Sequence, residues 1–130
     1  MVLAADRYSK AAVSERLCSG RVLSVGPCLR LRYVLTRFRT RGLLHGPAVL
    51  LVIWIATAAV LALAAHSGMF FRSPAAEMGL AAALAGSGSN LYDRSRHGAV
   101  VDFLDLGWWP TFNLADIALV VGLVVALCLV

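Results

Sequence analysis

Charge is scarce in this chain, at 15% of its 130 residues, and the positive charge is almost all arginine. Lysine occurs once, at Lys10, among twelve basic residues. No glycine-rich phosphate loop, no Cys/His cluster at metal-ligand spacing and no Gly-x-Ser-x-Gly elbow is present. Those absences set aside P-loop nucleotide chemistry, a zinc centre and a serine-hydrolase elbow. The three cysteines, Cys18, Cys28 and Cys128, are odd in number and lack metal spacing, so they read as incidental small hydrophobes. Met1 to Ala5 is too short for the apolar core of a signal peptide, and none is expected. Internal repeats and low-complexity linkers are also missing, which implies one membrane domain over residues 1–130.

What the chain does have is apolar surface. Hydrophobic residues make up 60% of it and its mean hydropathy is +0.79, values that exclude a soluble domain and imply a compact unit in a bilayer. Formal net charge is +5. Arg7, Lys10, Arg16, Arg21, Arg30, Arg32, Arg37, Arg39 and Arg41 crowd the first 41 positions, against a hydrophobic segment. That placement favours a membrane surface and its lipids as partner, not nucleic acid. Three segments have the character of spans. Residues 47–66 stay uncharged until His66, and about 20 such residues cross a hydrocarbon core. Residues 74–90 are rich in alanine and glycine, start at Ser73-Pro74 with Glu77 in the first turn, and repeat small residues at helical spacing (Gly79, Ala83, Ser87; Ala82, Gly86). Residues 112–130 form the third, an unbroken apolar run after Asp116.

The expected fold is therefore an all-α membrane protein of three transmembrane helices. A small N-terminal, β-containing extramembrane segment, residues 1–45, precedes them. Within it, Asp6 to Cys18 reads as a short helix. Val22, Leu23 and Val25, the turn dipeptide Gly26-Pro27, and the alternation of Leu29, Leu31, Tyr33 and Leu35 with Arg30, Arg32 and Val34 predict a hairpin with one apolar face. Residues 91–111 read as a loop joining the last two spans.

Candidate chemistry concentrates around that loop. Asp102 and Asp116 lie at the edge of hydrocarbon, where a carboxylate is costly to keep charged and is a functional candidate by default. Two that converge can share one proton and work as an aspartic protease pair. The bland alternatives are specific. Asn113-Leu-Ala-Asp116 also reads as a helix cap, and Asp102 as a loop acid facing water. Asp105 reads as solvated and His97 as a loop residue. Trp108 and Trp109 read as interfacial anchors, and His45 and His66 as interfacial residues flanking the first span.

Three motifs in order bear on these alternatives: Asn90-Leu-Tyr-Asp93-Arg94, Gly98-Ala-Val100-Val-Asp102-Phe103, and Phe112-Asn113-Leu-Ala115-Asp116. Together they resemble signal peptidase II, the lipoprotein signal peptidase of bacteria. The resemblance implies an intramembrane aspartic endopeptidase with Asp102 and Asp116 as catalytic residues and no cofactor or metal. Its substrates would be prolipoproteins cut before a diacylglyceryl-cysteine, at the bacterial cytoplasmic membrane. Asn90, Asp93, Arg94, Asn113 and Ala115 would bind or orient, joined by Asp6 and Lys10, which match a motif of the family's first span. A monomer is expected. The family has four spans where three are legible, the first having no counterpart ahead of Asp6. Its asparagine after the Tyr33-Val34 strand is absent from Thr36-Arg-Phe-Arg-Thr-Arg41-Gly42. The basic front places residues 1–41 in the cytoplasm, and an upstream span would carry them outward. Two other readings remain: a catalytically impaired paralogue that binds precursors at the membrane, and a small basic membrane protein whose acids are only caps.

Overall fold

The computed structural model describes residues 1–37, 47–68 and 73–129. Arg39, Arg41, His45, Arg72 and most of the stretch following Arg37 lie outside these residues. Seven elements follow one another: α1 (Val2–Leu17), β1 (Val22–Ser24), β2 (Arg30–Arg37), α2 (Pro47–His66), α3 (Pro74–His97), β3 (Ala99–Asp105) and α4 (Leu114–Cys128). Helices α2, α3 and α4 cover the segments expected to span. Among the described residues, no helix is long and apolar enough to cross a membrane. The 15 residues of α4 rise only about 22 Å, against a hydrocarbon core of about 30 Å. Helix α3 is longer but carries Glu77, Asp93, Arg94 and Arg96.

The boundaries of α3 have local causes. Ser73 caps its start, accepting a hydrogen bond from the Ala75 N–H at 3.2 Å, and Pro74 fills the first turn. The expected end at Asn90 is overrun as far as His97. Arg94, Arg96 and His97 complement the dipole of the last turn, and Gly98, at φ +66°, stops the helix in the left-handed conformation. Residues 91–97, expected as loop, are therefore helical.

Strand β3 is a second departure, because the expected loop also supplies a strand. The sheet has the order β1-β2-β3, antiparallel throughout, so it draws on both halves of the chain and is not confined to the N-terminal segment. Arg30 pairs with Asp105 and Leu31 with Leu104, but Val34 pairs with Asp102 and Thr36 with Val100. One extra residue of β2 is thus accommodated between Leu31 and Val34, a β-bulge that reverses which side chains share a face. The apolar face expected through Leu29, Leu31, Tyr33 and Leu35 breaks there. Leu35 is 41% exposed, whereas Val34 and Thr36 are half-buried. Under the sheet, Val13 and Leu17 of α1 close over Phe103, with Leu31, Tyr33, Leu104 and Leu114 around them.

Helices α3 and α4 run antiparallel along a seam of small residues. The buried positions of α3 include Ala76, Gly79, Ala83, Gly86, Asn90 and Asp93, alternating three and four residues apart as in a coiled coil. Ala115, Gly122 and Ala126 face them from α4. A Cβ at Gly86 would overlap the carbonyl oxygen of Ala115, and one at Gly79 would stand 2.9 Å from the Ala126 nitrogen. Close approach in place of bulky apolar packing is how helices associate in lipid. Ser87, expected on this stripe, belongs to another contact: it accepts a hydrogen bond from Trp54 Nε1 of α2 at 2.7 Å. Gly86→Leu should therefore destabilise the protein by at least about 3 kcal/mol, since backbone and not side-chain atoms must give way. Gly26→Ala, where nothing lies within 4 Å, should be neutral. Thermal unfolding in detergent measures both, and parental stability in Gly86→Leu would overturn the seam.

Candidate active site

Asn113 is the residue on which the site is built. It is fully buried and caps α4 in a reciprocal box: its Oδ1 accepts from the Asp116 N–H at 3.0 Å, and its own N–H donates to Asp116 Oδ2 at 3.0 Å. Its Nδ2 donates at 2.7 Å to Asp102 Oδ1. One residue thus caps a helix and holds both candidate carboxylates, its side chain bonding Asp102 from β3 and its backbone N–H bonding Asp116 from the first turn of α4. The cap reading of Asn113-x-x-Asp116 is correct, and the cap leaves Asp116 beside the residue that bonds Asp102.

Asn90 adds a second grip. Its Nδ2 donates to Asp116 Oδ1 at 2.7 Å, and its Oδ1 accepts from Asn113 Nδ2 and from Lys10 Nζ, each at 3.1 Å. An ammonium has only donors, so Lys10 fixes which way the Asn90 amide points. Lys10 in turn spends its remaining donors on Asp6 Oδ2 at 2.6 Å and Asp93 Oδ2 at 2.7 Å. Asp6 ties three helices together, accepting also from Ser89 Oγ of α3 at 2.6 Å and from the Ala115 N–H of α4 at 3.0 Å. On the outer side, Arg7 Nη2 reaches Asp93 at 3.4 Å and the guanidinium stacks 4.2 Å from the Tyr92 ring centre.

Burial pushes the Asp102 carboxyl above the ordinary carboxylate range. The hydrogen bond from Thr36 draws it back, the charge of Asp116 raises it, and the Asn113 bond and the Lys10 charge lower it. Thr36 Oγ1 donates to Asp102 Oδ2 at 2.6 Å, so each Asp102 oxygen has one protein donor. Among the described residues, no three His, Cys, Asp or Glu side chains are grouped to hold a metal.

Beside Asp116 opens an apolar groove of about 410 Å³, lined by Leu106, Trp108, Trp109, Phe112, Ile117 and Val120. The two tryptophans stack edge-to-face at 5.6 Å and stay exposed. Their loop is anchored by Asp105, which is buried and not solvated as expected. It bonds the Gly107 N–H at 2.8 Å and pairs with Arg32 Nε at 3.2 Å and Arg30 Nη2 at 3.8 Å. The bulge and the sheet register bring those partners to it across most of the chain.

Of the residues singled out in the sequence, Asp102, Asp116, Asn90, Asn113, Asp93, Lys10, Asp6 and Ala115 converge. Arg94 sits partly buried on the next position of α3, while the charges paired with Asp93 come from Arg7 and Lys10 of α1. Asp93 itself lies a turn inside α3, not at its end. His97 closes α3 instead of lying in a loop. Thr36 and Ser89 are additions: a lone threonine in a strand and a lone serine in a helix carry no motif, and the bulge that aims Thr36 leaves no mark in the alternation.

The sequence profile of signal peptidase (SPase) II matches residues 1–130. A lipoprotein signal peptidase of Pelotomaculum thermopropionicum is 39% identical over 127 residues, covering 94% of this chain and 81% of its own length. That of Moorella thermoacetica is also 39% identical, over 126 residues, covering 96% and 84%. A solved bacterial membrane enzyme, determined in meso at 1.9 Å, superposes with a TM-score of 0.76 at 25% identity, over 98% of this chain and 85% of that one. This is a membrane protease fold of helices braced by a small sheet. The chain belongs to the signal peptidase II family.

Two outcomes follow from the geometry. Lys10→Met should cost about 3–5 kcal/mol, because it strands Asp6 and Asp93 in a buried site without their shared cation. Asp105→Ala should cost about 1–3 kcal/mol by freeing the Gly107 N–H and the two arginines. Unfolding curves in detergent give both values. Indifference to Lys10→Met would show that the polar cluster is hydrated.

Proposed function

We propose that Asp102 and Asp116 are the catalytic pair through which this lipoprotein signal peptidase hydrolyses its substrate. The protein is an aspartic-type protease of the bacterial membrane that removes signal peptides from prolipoproteins. The observation carrying the residue assignment is that one buried residue, Asn113, bonds both carboxylates, Asp102 through its side-chain amide and Asp116 through its backbone N–H, so a helix cap holds the two together. One carboxylate takes a proton from water while its protonated partner polarises the scissile carbonyl. Water then attacks the peptide carbon with no covalent intermediate. Burial and the neighbouring charge, which raise Asp102, favour one shared proton over two charges.

Arrangement at a membrane surface supports the same reading. The outward residues of α4, among them Val120, Leu123, Val124 and Leu127, are apolar and exposed, which suits contact with lipid and not with water. Helices α2, α3 and α4 cross the bilayer in this proposal, residues 1–130 acting as one membrane domain, with the sheet and Trp108–Trp109 at headgroup level. The groove beside Asp116 opens sideways and is apolar, as a diacylglyceryl-modified segment anchored by acyl chains requires. A precursor-binding role without catalysis is not favoured, since both carboxylates and their supporting amides are in place.

Asp102→Asn and Asp116→Asn should each lower prolipoprotein cleavage by at least about a thousandfold while the protein still folds and inserts. Cleavage assayed in a strain lacking its own enzyme decides this, and activity in either variant would sink the pair. For topology, an impermeant thiol reagent should reach Cys28, in the β1–β2 hairpin, and a cysteine placed at Ser67 from opposite sides of the membrane. Each is tested with the other cysteines removed. Labelling of both from one side would exclude a crossing by α2, and by α3 as well, since β2 and β3 share one sheet.

A further inference from the structure

We propose that Thr36 is a positioning residue of the reaction, its hydroxyl donating to Asp102 as a carboxylate and accepting from it as a carboxylic acid. The inference rests on the aspartic reading above and deepens it. Its first support is geometric. Antiparallel register places Thr36 opposite Val100, diagonal to Asp102 on one face of the sheet, with Oγ1 2.6 Å from Oδ2. Without the bulge between Leu31 and Val34, Tyr33 would stand opposite Asp102, and Leu35, not Thr36, would share its face. An irregularity that re-aims one hydroxyl onto a catalytic candidate is where a functional constraint on a strand is expected.

The second support is the difference between the two donors to Asp102. Oδ1 is held by Asn113 Nδ2, an amide N–H that cannot accept. That amide cannot accept a bond from a proton on Oδ1, so the oxygen whose protein partner accommodates the proton is Oδ2. There a hydroxyl rotor can turn its lone pair to the new O–H while its own hydrogen swings aside. The same contact therefore serves both protonation states, as a pair that trades one proton in every cycle needs. The charged groups acting on Asp102 are Asp116 of α4 and Lys10 of α1. Asp6 of α1 and Asp93 of α3 are both tied to Lys10, and Arg37 follows Thr36 in β2. None of these is altered by a substitution at Thr36.

The test compares Thr36→Val, Thr36→Ser and Asp102→Asn in the full-length protein, following prolipoprotein cleavage across pH. The bond to the charged form is the stronger of the two, so losing the hydroxyl still raises the Asp102 pKa, which that bond now lowers. The limb of the rate profile set by Asp102 should therefore move to higher pH in Thr36→Val, whether Asp102 serves as acid or base. Its kcat should fall about tenfold with KM unchanged, and Thr36→Ser should restore both. If Thr36→Val does not fold, Thr36→Ala gives the same comparison with less steric demand in the strand. A fall in kcat with the pH profile unmoved would make Thr36 merely structural and overturn the inference, as would parental behaviour. Activity surviving in Asp102→Asn is a separate result, one that removes the catalytic pair itself.

Discussion

An ammonium group that can only donate decides the orientation of the amides around Asp102 and Asp116. Lys10 meets Asp6, Asp93 and Asn90 at once, filling its three donor positions. Because Asn90 must present its oxygen to that cation, its nitrogen is left for Asp116. The Asn113 nitrogen is in turn directed to Asn90 Oδ1 and Asp102 Oδ1. Direction passes from one cation through two amides to two carboxylates, and no amide in the chain is free to flip. Buried polar networks are worth their desolvation only when each member is satisfied, and here the members come from α1, α3, β3 and α4. The chain's single lysine is the one side chain that could not be exchanged for arginine without altering this, since a compact point charge fits where a planar fork does not.

The two halves of the site are supported differently. Asp116 stands in the first turn of a helix, where the Asn113 N–H and the dipole hold it, with Asn90 of α3 adding its amide. Asp102 stands in a strand, and what surrounds it depends on register: Thr36 from β2, and Asn113 from the segment Phe112 ties back to Leu104 by mutual backbone hydrogen bonds of 2.8 and 3.1 Å. Burial weighs on Asp102 first. Two carboxylates in unlike environments are what allows one to carry a proton while the other does not.

Much of this was legible because local rules govern it. Ser73-Pro74 and Asn113-x-x-Asp116 announce helix starts through backbone chemistry confined to four residues, and both starts lie where expected. The linked motifs already group Asp102, Asp116, Asn90 and Asn113 in the sequence. What escaped is non-local. Asp105 looks solvated until Arg30 and Arg32 arrive from another strand. Leu35 looks buried until a bulge, which has no compositional signature in Arg30–Arg37, turns it outward. The extension of α3 past Asn90 was signalled by Gly98, but the polar run from Asn90 to His97 resembled a loop, because the partners of Asn90 and Asp93 come from α1 and the start of α4.

The seam between α3 and α4 carries a last consequence, which concerns chain length and not side chains. Gly79, Ala83, Gly86 and Asn90 lie on one continuous stripe, the first three meeting backbone and the last meeting the reacting groups. An α-helix turns about 100° per residue. Adding or removing a single residue between Gly86 and Asn90 would keep every contact below it and swing the amide a quarter-turn or more away from Asp116. The interval is therefore closed to insertion and deletion, although Ser95 beyond it faces outward and is open to replacement. Relatives of this protein should vary freely in which residues they place on the outer face of this helix, and hardly at all in how many separate the glycine from the asparagine.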